Sequence, residues 1–317
     1  MSKLVTNLYT KNNRIGLLGG DFVDIWHRLG RIFRIANLGT LIFFILNISM
    51  LLLFFCPNGV TFESASPIVM AYLLTVLISL SPIGEWGLAL LAGAREIKRK
   101  DIQIRLIPLL EIVYNNAKEK TPYMINSIHL KIIYDSSPNA FAIGRRTICV
   151  TEGLLQLSDN EIMGVLAHEM GHLAYGHTTI QLLIGGGNLF ISGCLCIIRV
   201  MCWIITGCIS LIAGMVTRSF WVGAFTALIS SLSAGMVWLW TKFCMLFLMW
   251  SMRQNEYIAD EYACKIGFGN ELAYVLDNAL CSNPKSGLLK ALYSTHPSTD
   301  DRIARMQSTE LVNYSRY

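Results

Sequence analysis

The chain has 317 residues, of which 53% are apolar and 15% charged, against about 25% charged in soluble domains. That balance excludes an ordinary soluble enzyme and indicates an integral membrane protein. The net charge of +5 does not call for nucleic acid, because the cations are segregated along the chain. Nine cysteines occur without a C-x-x-C; they read as free thiols, not a disulfide framework.

Residues 1–35 are polar and basic, with Lys3, Lys11, Arg14, Arg28, Arg31 and Arg34. No apolar run opens them, so no ordinary signal peptide is expected. The stretch 35–56 carries no charge and is long enough to cross about 30 Å of hydrocarbon as a helix. A second span is expected at 67–84, ending near Ser81-Pro82-Ile83-Gly84-Glu85. Residues 36–91 thus form a first helix pair.

Charges return in Arg95, Lys98, Arg99 and Lys100. Leu106–Glu119 has helical periodicity, and Ile128–Tyr134 starts as an alternating strand. A turn at Asp135–Pro138 leads to a second strand, Asn139–Ile143, and a third, Thr147–Val150. Residues 92–177 are therefore a small α+β body. It ends on Gly164-Val-Leu-Ala-His168-Glu169-Met170-Gly171-His172, an H-E-x-x-H motif. Ser158 and Glu161 form a capping box that starts a helix about ten residues before His168. On that helix His168 and His172 share one face and can reach one metal ion. Zinc suits two imidazoles plus a carboxylate, with an open position where water is activated. Glu169 then takes the proton, which is peptide-hydrolysis chemistry.

Residues 178–250 read as a second pair of membrane helices, about 178–215 and 221–250, with 251–317 polar again. All but three of the 26 Lys and Arg (Arg199, Arg218 and Lys242) lie in 1–35, 92–181 and 251–317. The positive-inside rule then puts both termini and the motif in the cytoplasm. Depth narrows the third ligand. His172 precedes the third span, and Glu256 follows the fourth, by about six residues each, roughly 9 Å of helix. Glu256 is thus level with His172, and Asp260, one turn on, can orient a ligand histidine. His177 faces away from the metal on a continuing helix. Tyr175 and Thr178 break the longer H-E-x-x-H-x-x-G-x-x-H pattern. The chain has no Asp-Gly pair of the kind intramembrane metalloproteases use. His27 and His129 read as structural.

Together these residues resemble the HtpX-type membrane metalloproteases, relatives of the CAAX prenyl proteases. The matching elements are Ser81–Trp86, Asn139–Ala142, His168–His172, Glu256–Asp260, and His296-Pro297 with Arg302. The resemblance runs from about residue 35 to 307. It departs at His177, where the motif usually continues into a different polar residue, and in the long segment 1–35. It implies an α-helical membrane protein with four transmembrane helices and a small α+β zincin-like (gluzincin) catalytic body. It implies one Zn²⁺ held by His168, His172 and Glu256, with Glu169 as general base. It implies that Asn139, Ala140, Phe141 and Ala142 form an edge strand that pairs with an extended substrate. His296 is a candidate donor to the oxyanion. The implied function is cleavage of misfolded or damaged membrane proteins in quality control, as a multi-pass protein of the bacterial inner membrane. The implied partners are protein substrates and the lipid bilayer, with no nucleic acid. Two alternatives stand beside it. A non-catalytic zinc-binding scaffold would be favoured by loss of the base, and Glu169 is present. CAAX-type prenyl proteases usually carry more than four spans.

Overall fold

A backbone that leaves water must satisfy its own polar groups, and the apolar stretches accordingly form long helices. The computed structural model describes residues 35–121, 124, 127–217, 220–278 and 296–315. The basic segment 1–34 with His27, Arg218 of the expected outer loop, and Cys281 lie outside them. Helix α1 is Leu38–Phe55 and α2 is Phe62–Leu80. Helix α6 runs from His177 to Thr217 and α7 from Phe220 to Lys265. These regions hold four stretches long and apolar enough to cross a membrane: Ile35–Leu53, Phe62–Leu80, Gly193–Ile212 and Ala234–Lys265. Trp203, Ile212, Met236 and Trp238 are exposed on them, as side chains facing an apolar solvent are. The eight cysteines described are all free.

Two boundaries differ from the expectation. The second helix begins five residues early, where Thr61 and Ser64 cap each other, and stops at Leu80. Ser81 then caps a separate short helix, α3, Pro82–Leu91, with Pro82 in its first turn. Proline has no N–H to continue the preceding helix. The fourth helix does not end near 250. No Gly or Pro interrupts residues 250–265, so the apolar stretch and the Glu256–Asp260 segment are one continuous helix, which stops before Gly267 at φ 92°.

Between these pairs lies the mixed body. Helix α4 is Lys100–Lys120. Strands β1 (Arg95–Glu96), β2 (His129–Ile133), β3 (Ala140–Ile143) and β4 (Thr147–Thr151) form one sheet in the order β1-β2-β4-β3. β2 and β4 are parallel; the other two pairings are antiparallel. β3 therefore lies at one edge of the sheet. Helix α5, Asp159–Tyr175, packs on the sheet with α4. Helices α8 (Gly269–Asn278) and α9 (Thr299–Gln307) close the other side. Leu106, Val113, Ile132, Ile148, Leu166, Met170, Leu272 and Met306 form the centre of this core.

Candidate metal centre

Ser158 starts the helix that carries the motif. Its Oγ accepts from the Glu161 N–H, and the Glu161 carboxylate accepts from the Ser158 N–H at 2.6 Å. From there α5 places His168, Glu169 and His172, all buried. Their spacing sets the two imidazoles edge to face, with planes 88° apart and Nε2 atoms 3.1 Å apart. Gly171 lets α7 approach. A Cβ on it would lie 2.9 Å from Ala259 Cα, closer than carbon atoms pack. That contact brings Glu256 to the motif. Glu256 Oε1 lies 3.4 Å from His172 Nε2, and Oε2 lies 3.7 Å from His168 Nε2. Among the described residues these three are a group of possible ligands whose donor atoms all lie within 4.8 Å of one another.

Behind the first imidazole, Asp260 Oδ1 lies 2.8 Å from His168 Nδ1. A carboxylate there accepts a hydrogen bond from Nδ1–H, which fixes the tautomer and leaves Nε2 with its lone pair facing the cluster. Arg302 of α9 grips Asp260 from the far side. Its Nε–H donates to Oδ2 at 2.8 Å and its Nη2–H to Oδ1 at 2.6 Å. Burial opposes a charge on Arg302, but the Asp260 carboxylate outweighs it and pushes the guanidinium pKa up.

Glu169 Oε2 accepts from the Ala142 N–H at 2.7 Å. Burial pushes its carboxyl pKa up, against the opposing pull of His172 and His168. Just before β3, the Asn139 N–H donates to the Thr151 hydroxyl and its carbonyl accepts from the Thr151 N–H of the neighbouring strand. Antiparallel alternation then turns the backbone of Ala140 and Ala142 to the free edge. Of the four residues predicted to receive substrate, these two present main chain on that side. His296 is exposed, with Nδ1 2.9 Å from Glu256 Oε2. That hydrogen bond raises its pKa, against partial desolvation.

His177 departs from expectation because α5 does not continue. Gly176 takes a left-handed φ of 73° and ends it, and α6 restarts at His177. His177 Nδ1 then lies 3.0 Å from His172 Nδ1, behind that imidazole and outside the group of three donors.

The donor set fits zinc. Tetrahedral zinc with bonds of about 2.0–2.1 Å to nitrogen separates two ligand nitrogens by about 3.3 Å. The two Nε2 atoms here stand 3.1 Å apart. Two unprotonated imidazole nitrogens and a carboxylate, turned toward one another away from water, are stabilised by a cation between them. Arg302 has no role assigned from sequence, where only its company with His296-Pro297 marks it. Gly171, placed between the two motif histidines, is the other omission; a small residue inside the motif was the signal.

A family model for peptidase family M48 matches residues 110–310, which include the whole cluster. The chain belongs to peptidase family M48. Among M48 relatives, a protease HtpX homolog of Tropheryma whipplei (strain Twist) is 27% identical over 257 residues, 69% of this chain and 76% of that one. A protease HtpX homolog of Janthinobacterium sp. (strain Marseille) is 28% identical over 289 residues, 84% and 88% of the two chains. The crystal structure of S. mikatae Ste24p aligns over 90% of this chain and 66% of its own, at 16% identity and a TM-score of 0.45.

Proposed function

We propose that this M48 peptidase is a membrane-bound zinc endopeptidase with a zincin-like (gluzincin) catalytic body. One zinc ion is held by His168, His172 and Glu256. The convergence of these three donors around 3.1–3.7 Å contacts carries the reading. Bound there, zinc supplies Lewis acidity that polarises a peptide carbonyl and activates water.

The chain's own residues do the rest. Glu169 is the general base, and the Ala142 N–H aims its carboxylate. Asp260, gripped by Arg302, fixes the His168 tautomer. The outer edge of β3 pairs with an extended substrate segment, and Ala140 with the Ala142 carbonyl supplies the main-chain partners, the Ala142 N–H being held by Glu169. His296 donates to the developing oxyanion. Asn139 and Phe141 shape the strand from its β4 side.

The substrates are misfolded or damaged membrane proteins, cleaved in quality control. The chain spans the bacterial inner membrane four times, with the site and both termini cytoplasmic, as the cation distribution supports. A direct test is metal content and cleavage of an unfolded protein by the detergent-purified chain, with and without Glu256→Gln. The reading expects about one zinc per chain and cleavage, with both lost in the variant. A chain that binds no zinc would overturn it.

A further inference from the structure

The Ser81–Trp86 segment supplies none of the proposed metal donors, yet it reaches the turn at the end of the strand that Glu169 touches. Ser81 ends the second span and caps α3. Gly84 sits so close to the end of α2 that a Cβ would lie 2.0 Å from the Ser79 carbonyl oxygen. This tight corner aims Glu85, in the first turn of α3, at the turn joining β3 to β4. Glu85 Oε1 accepts from the Thr147 hydroxyl at 2.7 Å, and Oε2 accepts from the Arg145 N–H at 3.2 Å. The carboxylate lies against Gly144, where a Cβ would come within 2.4 Å of Glu85 Cδ. Gly144 also holds a φ of 60°, which glycine adopts without steric cost. From the other side, the hydroxyl of Thr178, at the start of α6, donates to the Gly144 carbonyl. Two elements flanking the membrane stretches therefore grip one turn, two residues beyond Ala142.

β3 has a ladder on its β4 side only, and its outer side is tied by the Ala142 N–H on Glu169, so its position depends also on how its ends are tied. β3 is four residues long, and its free side must stay level with Glu169 for substrate and base to meet. We propose that Glu85 is a positioning residue for peptide cleavage: with Thr178 it clamps the turn 144–147 and holds the free edge of β3 in line with Glu169. This rests on the peptidase reading and on β3 as the substrate strand. The Ser81–Trp86 segment thereby links the end of the second span to the strand that receives substrate.

The test uses the full-length chain in detergent, with zinc content matched, and steady-state cleavage of an unfolded protein substrate. Glu85→Gln leaves one acceptor where two are needed. It should raise KM about tenfold, the scale of one hydrogen bond to a charged group, with kcat and zinc content essentially unchanged. Thr147→Val should shift KM the same way, Thr147→Ser should restore it, and the Glu85→Gln/Thr147→Val pair should be less than additive. Backbone hydrogen exchange over 140–147 should speed up in Glu85→Gln while β2 keeps its protection. Unchanged KM and unchanged exchange in both single variants would overturn the proposal, as would a loss of zinc and kcat at constant KM. If the unaltered chain cleaves nothing, the peptidase reading fails separately. Exchange alone then decides the clamp: faster over 140–147 keeps it, and no change removes it.

Discussion

Asp260 Oδ1 stands 2.8 Å from Nδ1 of His168 while Arg302 holds both oxygens of the same carboxylate. The three residues come from α5, α7 and α9, so the proposed ligand histidine is oriented by a chain of contacts across three helices. Asp260→Asn keeps the shape but is a weaker, uncharged acceptor for the Nδ1–H, and it leaves buried Arg302 with Glu256, 3.5 Å away, in place of its nearer carboxylate partner. Zinc affinity should fall by about 10–100-fold, the usual cost of losing such a partner. Competition against a chelator of known affinity measures it, and an unchanged affinity would remove Asp260 from the metal centre.

Gly171 makes a separate prediction. Its hydrogen faces Ala259 at a distance that leaves no space for a methyl group. Gly171→Ala should push α7 from α5 and cost about 1–3 kcal/mol of stability, the range for overpacking a filled contact. Because His172 is the next residue and Glu256 lies on the displaced helix, zinc affinity should fall as well. Thermal unfolding with and without zinc measures both, and a variant that loses neither would contradict the close contact.

His296 makes a third, read in the metal-free chain. Its hydrogen bond to Glu256 raises its pKa, so it should titrate above the ordinary histidine value of about 6.5. The stabilisation follows the raised-pKa sign. It is fully present below the unfolded value and is lost as pH rises through the folded value. In Glu256→Gln the titration should return toward the ordinary value. NMR titration of the His296 ring decides it, and identical curves in the two chains would contradict the contact.

Much of this site was legible because its spacing is short or its depth is fixed. His168 and His172 are one helical turn apart, and Ser158 with Glu161 announces that helix. Glu256 could be placed from the sequence because two apolar stretches return the chain to one level. The edge strand at Asn139–Ala142 is expected from resemblance alone, since sequence periodicity does not order strands within a sheet. His177 was misplaced because one glycine, Gly176, resets the helix direction. The Arg302 contact spans 42 residues to Asp260, and the Glu85 contact spans 62 to Thr147. Pairings at such separations depend on how elements dock, which no local pattern encodes.

The proposal that Glu169 is the base of a zinc peptidase stands or falls on one substitution. Glu169→Gln keeps the side chain's size and an acceptor for the Ala142 N–H, but it removes the proton acceptor. The measurement is cleavage of an unfolded protein by both chains, purified in detergent with zinc content matched. The account predicts full zinc in each and a rate about 10²–10⁴ lower in the variant. Equal cleavage by the two chains at equal zinc would contradict it.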